Sequence, residues 1–107
     1  MSNAIRVLIL EDDNFEASIL KEYLEEQNFI VYITSTLHEA LEAFAANSFD
    51  FLIIDIYIGG RPEGITFAKT ITKDKSQPIP FLFLTGSSDR SVFEAARTTN
   101  PYSSLLK

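Results

Sequence analysis

Ile5-Arg6-Val7-Leu8-Ile9-Leu10-Glu11-Asp12-Asp13 is the stretch on which the fold turns. Apart from Arg6 the run is aliphatic, and it ends abruptly on carboxylates. A short aliphatic run without polar alternation fits a strand buried on both faces. The same device returns in Phe51-Leu52-Ile53-Ile54, which ends on Asp55, and in Ile79 to Leu84, which ends at Thr85-Gly86. Phe29 to Ile33 supplies a second strand and Tyr102 to Leu106 a fifth, the latter ending at Lys107.

Helical periodicity fills the gaps between these runs. Phe15, Ile19, Leu20, Tyr23 and Leu24 recur at three-to-four spacing, the mark of an amphipathic helix. Thr36-Leu37-His38-Glu39 fits a capping box ahead of Ala40, Leu41, Phe44 and Ala45. Gly59-Gly60-Arg61-Pro62 breaks the chain before Ile65, Ala68 and Ile71 sketch a third helix. Ser88 or Ser91 starts a fourth, carrying Val92, Phe93 and Ala96. Strands buried on both faces and alternating with helices describe an α/β protein with a doubly wound parallel sheet of five strands.

Composition bounds the chemistry. The 107 residues are 46% hydrophobic and 22% charged, with four Gly and four Pro, which suits one small globular domain. The lack of cysteine excludes disulfide scaffolds and thiolate sites, and a single His leaves no room for a His-rich zinc site. With a net charge of −6 the domain is expected to bind neither nucleic acid nor an anionic membrane directly. No apolar run has the length of a membrane span and no signal peptide precedes the fold, so a cytoplasmic protein is expected. Residues 1–4 read as an expression-tag remnant, which leaves 5–107 as the domain.

In doubly wound sheets the ligand crevice lies beyond the carboxyl ends of the strands, where strand order reverses. Here those ends carry Glu11-Asp12-Asp13, Asp55, Thr85 and Lys107. If the first and third strands are neighbours, their ends lie about 5 Å apart and the carboxylates converge. Crowded carboxylates cannot all ionise at low cost unless a cation lies between them, and a hard divalent ion with oxygen ligands, Mg²⁺ foremost, suits the gap. A carboxylate nucleophile, a divalent ion, a hydroxyl and an amine together suggest phosphoryl chemistry.

The series Val7-Leu8-Ile9-Leu10-Glu11-Asp12-Asp13, Asp55-Ile56-Tyr57-Ile58 with Gly64 downstream, Phe83-Leu84-Thr85-Gly86 and Leu105-Leu106-Lys107 resembles the receiver domain of two-component response regulators. The resemblance implies a flavodoxin-like strand order of 2-1-3-4-5 and a role for each residue. Asp55 would accept a phosphoryl group from a histidine kinase or phosphotransfer protein. Glu11, Asp12 and Asp55 would hold Mg²⁺ (or Mn²⁺), with the Tyr57 backbone carbonyl as a further ligand. Thr85 would be the switch hydroxyl and Lys107 would pair with the phosphoryl group. Asp13 falls at a variable position and is not counted among the ligands.

Three departures stand out. Many family members carry Pro where this chain has Gly59, and Gly59-Gly60-Arg61-Pro62-Glu63 is one residue longer than the commonest loop. Ser104 stands where an aromatic residue is frequent. The family continues beyond the lysine with a final helix that is missing from this chain, so a bare apolar strip is expected beside the first helix, covered by a following segment or a second copy. An output domain following covalently is the related expectation.

Other readings fit less well. A metal-dependent phosphohydrolase with an Asp nucleophile would want a second Asp where Tyr57 sits. A nucleotide or flavin binder needs a glycine- or hydroxyl-rich loop after the first strand, where the acidic residues repel phosphate. A degenerate receiver serving only for docking is at odds with the presence of Asp12, Asp55, Thr85 and Lys107. His38 reads as a solvated residue, and Glu22, Glu25 and Glu26 as a solvated helix face.

Overall fold

The computed structural model describes residues 4–73, 78–85 and 103–106, the last four and Thr85 through their backbone only. The elements run β1 (Arg6–Leu10), α1 (Asn14–Glu26), β2 (Ile30–Thr34), α2 (Leu37–Ala46), β3 (Phe51–Asp55), α3 (Glu63–Ile71), β4 (Phe81–Thr85) and β5 (Ser103–Leu106). All strand pairs are parallel and the order is β2-β1-β3-β4-β5, as the strand patterns and the resemblance imply. The fourth helix expected around Ser88 to Ala96 lies outside the described residues.

Alternation along each strand divides the core in two. Leu8, Leu10, Leu52, Ile54, Phe81 and Phe83 face α2 and α3, where they meet Ala40, Phe67 and Ala68. Val7, Ile9 and Ile53 face α1 and pack with Leu20, Leu24 and Phe29. Both faces of β1 and β3 are therefore covered, which is why these strands show no polar alternation.

Of the strand boundaries that shift from the sequence reading, two have a clear backbone reason. α1 ends in a Schellman arrangement: Asn28 adopts φ 69° and donates its N–H to the Glu25 carbonyl, while the Phe29 N–H donates to the Leu24 carbonyl. Phe29 is thus committed to the helix end and β2 begins at Ile30. β4 begins at Phe81 rather than Ile79 because Pro80 has no N–H for the ladder, although its carbonyl accepts from Leu52.

The periodicity of α1 also needs correction. Of the apolar residues that define it, Leu20 and Leu24 pack on the sheet beside the buried Ala17. Phe15, Ile19 and Tyr23 are 64%, 54% and 62% exposed. At about 100° per residue these three form a second apolar stripe on nearly the opposite side. Beside α1, among the described residues, lies an apolar groove of about 320 Å³ lined by Ile5, Val7, Leu24, Phe29, Phe51, Ile53 and Leu82.

The start of α2 follows its sequence signal, and only the reciprocal bond of the capping box is displaced by one residue. Thr36 caps the helix by accepting the Glu39 N–H at 3.1 Å. The Glu39 carboxylate reaches back to Ser35, accepting its N–H at 2.9 Å and its hydroxyl at 3.0 Å. The Ser35 N–H is the main cause holding the Glu39 carboxyl below its ordinary pKa. His38 is exposed beside Glu42 at 2.7 Å, in keeping with a solvated helix residue.

Replacing Thr36 by Ala is expected to lower stability by about 1 kcal/mol in denaturant unfolding, the usual cost of losing a cap. The contribution of Glu39 has a definite pH sign, because its folded-state pKa is lowered. It is complete above the ordinary carboxylate range and disappears as pH falls through the lowered value. The stability difference between wild type and Glu39→Ala should shrink accordingly on acidification.

Candidate functional site

The last paired residues of β1 and β3 are Leu10 and Ile54. One position further along each strand stand Glu11 and Asp55, both buried, and Asp12 follows at the exposed rim. Each of Glu11, Asp12 and Asp55 offers a carboxylate oxygen, and these oxygens lie within 4.8 Å of one another. The three carboxylates expected from the sequence are thus brought together, at the point where the sheet order reverses.

Main-chain amides face this cluster. Glu11 Oε2 accepts the Asp13 N–H at 3.3 Å, Asp55 Oδ1 accepts the Tyr57 N–H at 3.4 Å, and Asp12 Oδ2 accepts the Gly59 N–H at 2.9 Å. Two like charges about 4 Å apart repel by roughly 4 kcal/mol at an effective dielectric near 20. A hydrogen bond to a charged group contributes roughly 1.5–3 kcal/mol. The amides therefore soften the repulsion, while water screens the exposed Asp12. A hard cation among the three oxygens would offset far more of it, and hard carboxylate oxygens, completed by water or phosphate oxygens, are the donors that Mg²⁺ takes.

Asp13 has a different task. Its Oδ1 accepts the N–H groups of Phe15 and Glu16 at 3.0 and 3.2 Å, so it caps α1. It is not one of the three grouped carboxylates. The cap itself was overlooked, although Asp13 followed three residues later by Glu16 is a recognisable start signal.

Three glycines shape the wall opposite. Gly64 opens α3 and donates its N–H to the Ile56 carbonyl at 3.0 Å. A β-carbon there would overlap the Asp55 carbonyl oxygen and crowd the Ile56 Cα, so only glycine lets the helix sit this close to the end of β3. Gly59 and Gly60, with φ of 61° and 79°, form the tip of a two-residue hairpin. Its closure is reciprocal: Ile58 N–H to the Arg61 carbonyl at 2.8 Å and Arg61 N–H to the Ile58 carbonyl at 3.1 Å. Positive φ at both central residues is the type I′ requirement. The sequence reading saw a chain break here and missed the amide it aims at Asp12, although a Gly-Gly pair is a known signal for this turn.

Tyr57 is half-buried on the loop after β3. The Thr85 backbone ends β4 one residue beyond Leu84, which pairs with Asp55, so it stands at the same edge of the sheet. Lys107 follows Leu106, the partner of Thr85 in β5, and lies outside the described residues.

Comparison with known proteins agrees with this geometry. The family model for the response regulator receiver domain matches residues 7–107. The regulatory protein VanR of Enterococcus faecium is 32% identical over 81 residues, covering 76% of this chain and 34% of VanR. The transcriptional regulatory protein RprY of Bacteroides fragilis is 26% identical over 88 residues, covering 82% of this chain and 36% of RprY. The chain thus spans about a third of the length of these curated relatives. Among solved structures, a putative response regulator from Chloroflexus aurantiacus superposes with a TM-score of 0.83 at 28% identity, covering 98% of this chain and 86% of that one. The response regulator TrrA from Thermotoga maritima, solved in complex with Mg²⁺-BeF, gives a TM-score of 0.81 at 27% identity, covering 96% and 86%.

Because Gly64 is packed without room for a side chain, Gly64→Ala is expected to destabilise the domain by about 1–3 kcal/mol, the usual range for overpacking. Denaturant unfolding beside the wild type measures it. The fold, the acidic cluster at its switch point and the match over 7–107 lead to one assignment: the chain belongs to the receiver domain family of two-component response regulators.

Proposed function

We propose that Asp55 is the phosphoacceptor of this receiver domain, taking a phosphoryl group from a histidine kinase or phosphotransfer protein. The observation that carries the reading is the convergence of Glu11, Asp12 and Asp55 within 4.8 Å at the carboxyl ends of β1 and β3. An Asp55 oxygen bonds to phosphorus as the P–N bond of phosphohistidine breaks, and the leaving imidazole nitrogen keeps the electron pair and takes up a proton. Glu11, Asp12 and Asp55 would hold Mg²⁺, with the Tyr57 carbonyl as a further ligand. The bound ion supplies neutralisation of the phosphoryl oxygens. Such a site in a relative is supported by the Mg²⁺-BeF complex of TrrA.

Thr85 and Lys107 complete the reading by resemblance, as switch hydroxyl and phosphoryl partner. Phosphorylation then shifts a two-state equilibrium and the domain serves as a signalling switch rather than a conventional enzyme. The domain is proposed to span residues 5–107 and to act within a longer regulator, in line with the fraction of VanR and RprY that it covers. Among the described residues no helix is long and apolar enough to cross a membrane. A cytoplasmic location fits a partner kinase that presents its phosphohistidine there.

Incubation with acetyl phosphate and Mg²⁺ should add one phosphoryl group by intact mass, and Asp55→Asn should abolish the addition. Equal labelling of the variant would refute the assignment. Mg²⁺ should also raise the melting temperature. At a hundredfold excess over the dissociation constant the gain is about 2.7 kcal/mol, which corresponds to roughly 10–20 °C for a domain of this size. An unchanged melting curve at saturating Mg²⁺ would count against the site.

A further inference from the structure

The hairpin at Ile58–Arg61 is anchored at both ends, and this anchoring bears on one site carboxylate. Ile58 is buried in the larger core cluster and anchors one strand of the hairpin. The Glu63 N–H donates to the Arg61 carbonyl at 2.7 Å, fastening the other strand to the start of α3. Between these anchors, Gly59 and Gly60 hold positive φ, so the direction of the Gly59 N–H is fixed by the turn itself. That N–H meets Asp12 Oδ2 at 2.9 Å across 47 residues of sequence. Among the described residues no other hydrogen bond reaches the Asp12 side chain, which is the exposed member of the trio.

We propose that the Gly59 main-chain amide is a positioning group for Asp12, holding its carboxylate against Glu11 and Asp55 so that the site is set to receive a divalent cation. The inference rests on the reading of the trio as a Mg²⁺ site. An exposed carboxylate at a loop bend is otherwise free to rotate, and fixing it before the ion arrives removes an ordering cost from binding. A main-chain donor suits this task, because it adds no second positive charge to compete with the ion. Carboxylates that ligate metals generally depend on such outer hydrogen bonds, and losing one weakens metal affinity about 10- to 100-fold.

The geometry supplies a matched pair of variants. Proline has no N–H and fixes φ near −65°, so Gly59→Pro removes both the donor and the turn that aims it. Asparagine adopts positive φ and keeps its N–H, and Asn-Gly is a favoured type I′ pair. A β-carbon at Gly59 meets nothing within 4 Å, so Gly59→Asn is accommodated.

The test compares Mg²⁺ dissociation constants of the wild-type chain and both variants by calorimetric titration. Gly59→Pro is expected to bind about tenfold more weakly or worse, and Gly59→Asn within about twofold of wild type. A Gly59→Pro chain that binds as tightly as wild type overturns the proposal, and so does a Gly59→Asn chain that loses as much as Gly59→Pro. A second measurement avoids any folding defect in the hairpin variants. In the metal-free chain, Asp12→Ala should speed hydrogen exchange of the Gly59 amide by about tenfold or more, while the Arg61 amide, paired inside the hairpin, stays protected. Unchanged exchange at Gly59 overturns the proposal as well. A wild-type chain that binds no Mg²⁺ overturns the reading of the site and this inference with it, whereas normal wild-type binding with an indifferent Gly59→Pro overturns this inference alone.

Discussion

The pairing of β1 with β3, from Val7 against Phe51 to Leu10 against Ile54, carries the site. Each residue of a strand advances about 3.3 Å, and successive side chains point to opposite faces. A slip of one residue would therefore carry Asp55 about 3.3 Å along from Glu11. It would also exchange the side chains that meet α1 for those that meet α2 and α3. Leu52 and Ile54 fill the larger core while Ile53 fills the smaller one, so the register is held by packing on both faces. The acidic residues need no means of their own to find one another. They meet because two hydrophobic strands end level.

Beyond the ladder, backbone amides take over. The N–H groups of Asp13, Tyr57 and Gly59 each point at one carboxylate of the trio. Asp13 in turn occupies its own carboxylate with the first turn of α1. Consecutive acidic residues in one loop thus have separate tasks, set by which amides each can reach. Gly64 adds a steric condition, since the end of β3 and the start of α3 share a space too small for a β-carbon.

Much of this was legible in the sequence because the deciding signals are local. Aliphatic runs closing on Glu11, Asp55 and Thr85 mark buried parallel strands, and the switch-point rule then indicates where their ends lead. The Thr36–Glu39 cap could be read directly as well, though its glutamate reaches Ser35. What escaped depends on geometry between distant segments or on rotation about an axis. Apolar spacing in α1 could not say that Phe15, Ile19 and Tyr23 face away from the sheet, because the helix carries apolar residues on two sides. Pro80 and Phe29 moved strand boundaries through hydrogen-bonding capacity rather than hydrophobicity. The amide that reaches Asp12 comes from 47 residues away, where the sequence displays only two glycines.

That separation bears on how the site comes into being. Between Asp12 and Gly59 lie α1, β2, α2 and β3, and the contact closes only when all of them are in place. Contacts of such long range bear the entropy of loop closure before they return any stabilisation, and they slow folding. A fragment ending before β3 contains Glu11 and Asp12 yet has no third carboxylate to set against them. On the reading of the trio as a cation site, competence to bind would therefore be a property of the assembled sheet, absent from a chain that has opened at its centre. Apparent affinity then scales with the fraction of competent chains. Loss of a methyl group from Ile9 or Ile53, whose side chains pack on the α1 side of the sheet, would register at the site once stability became marginal.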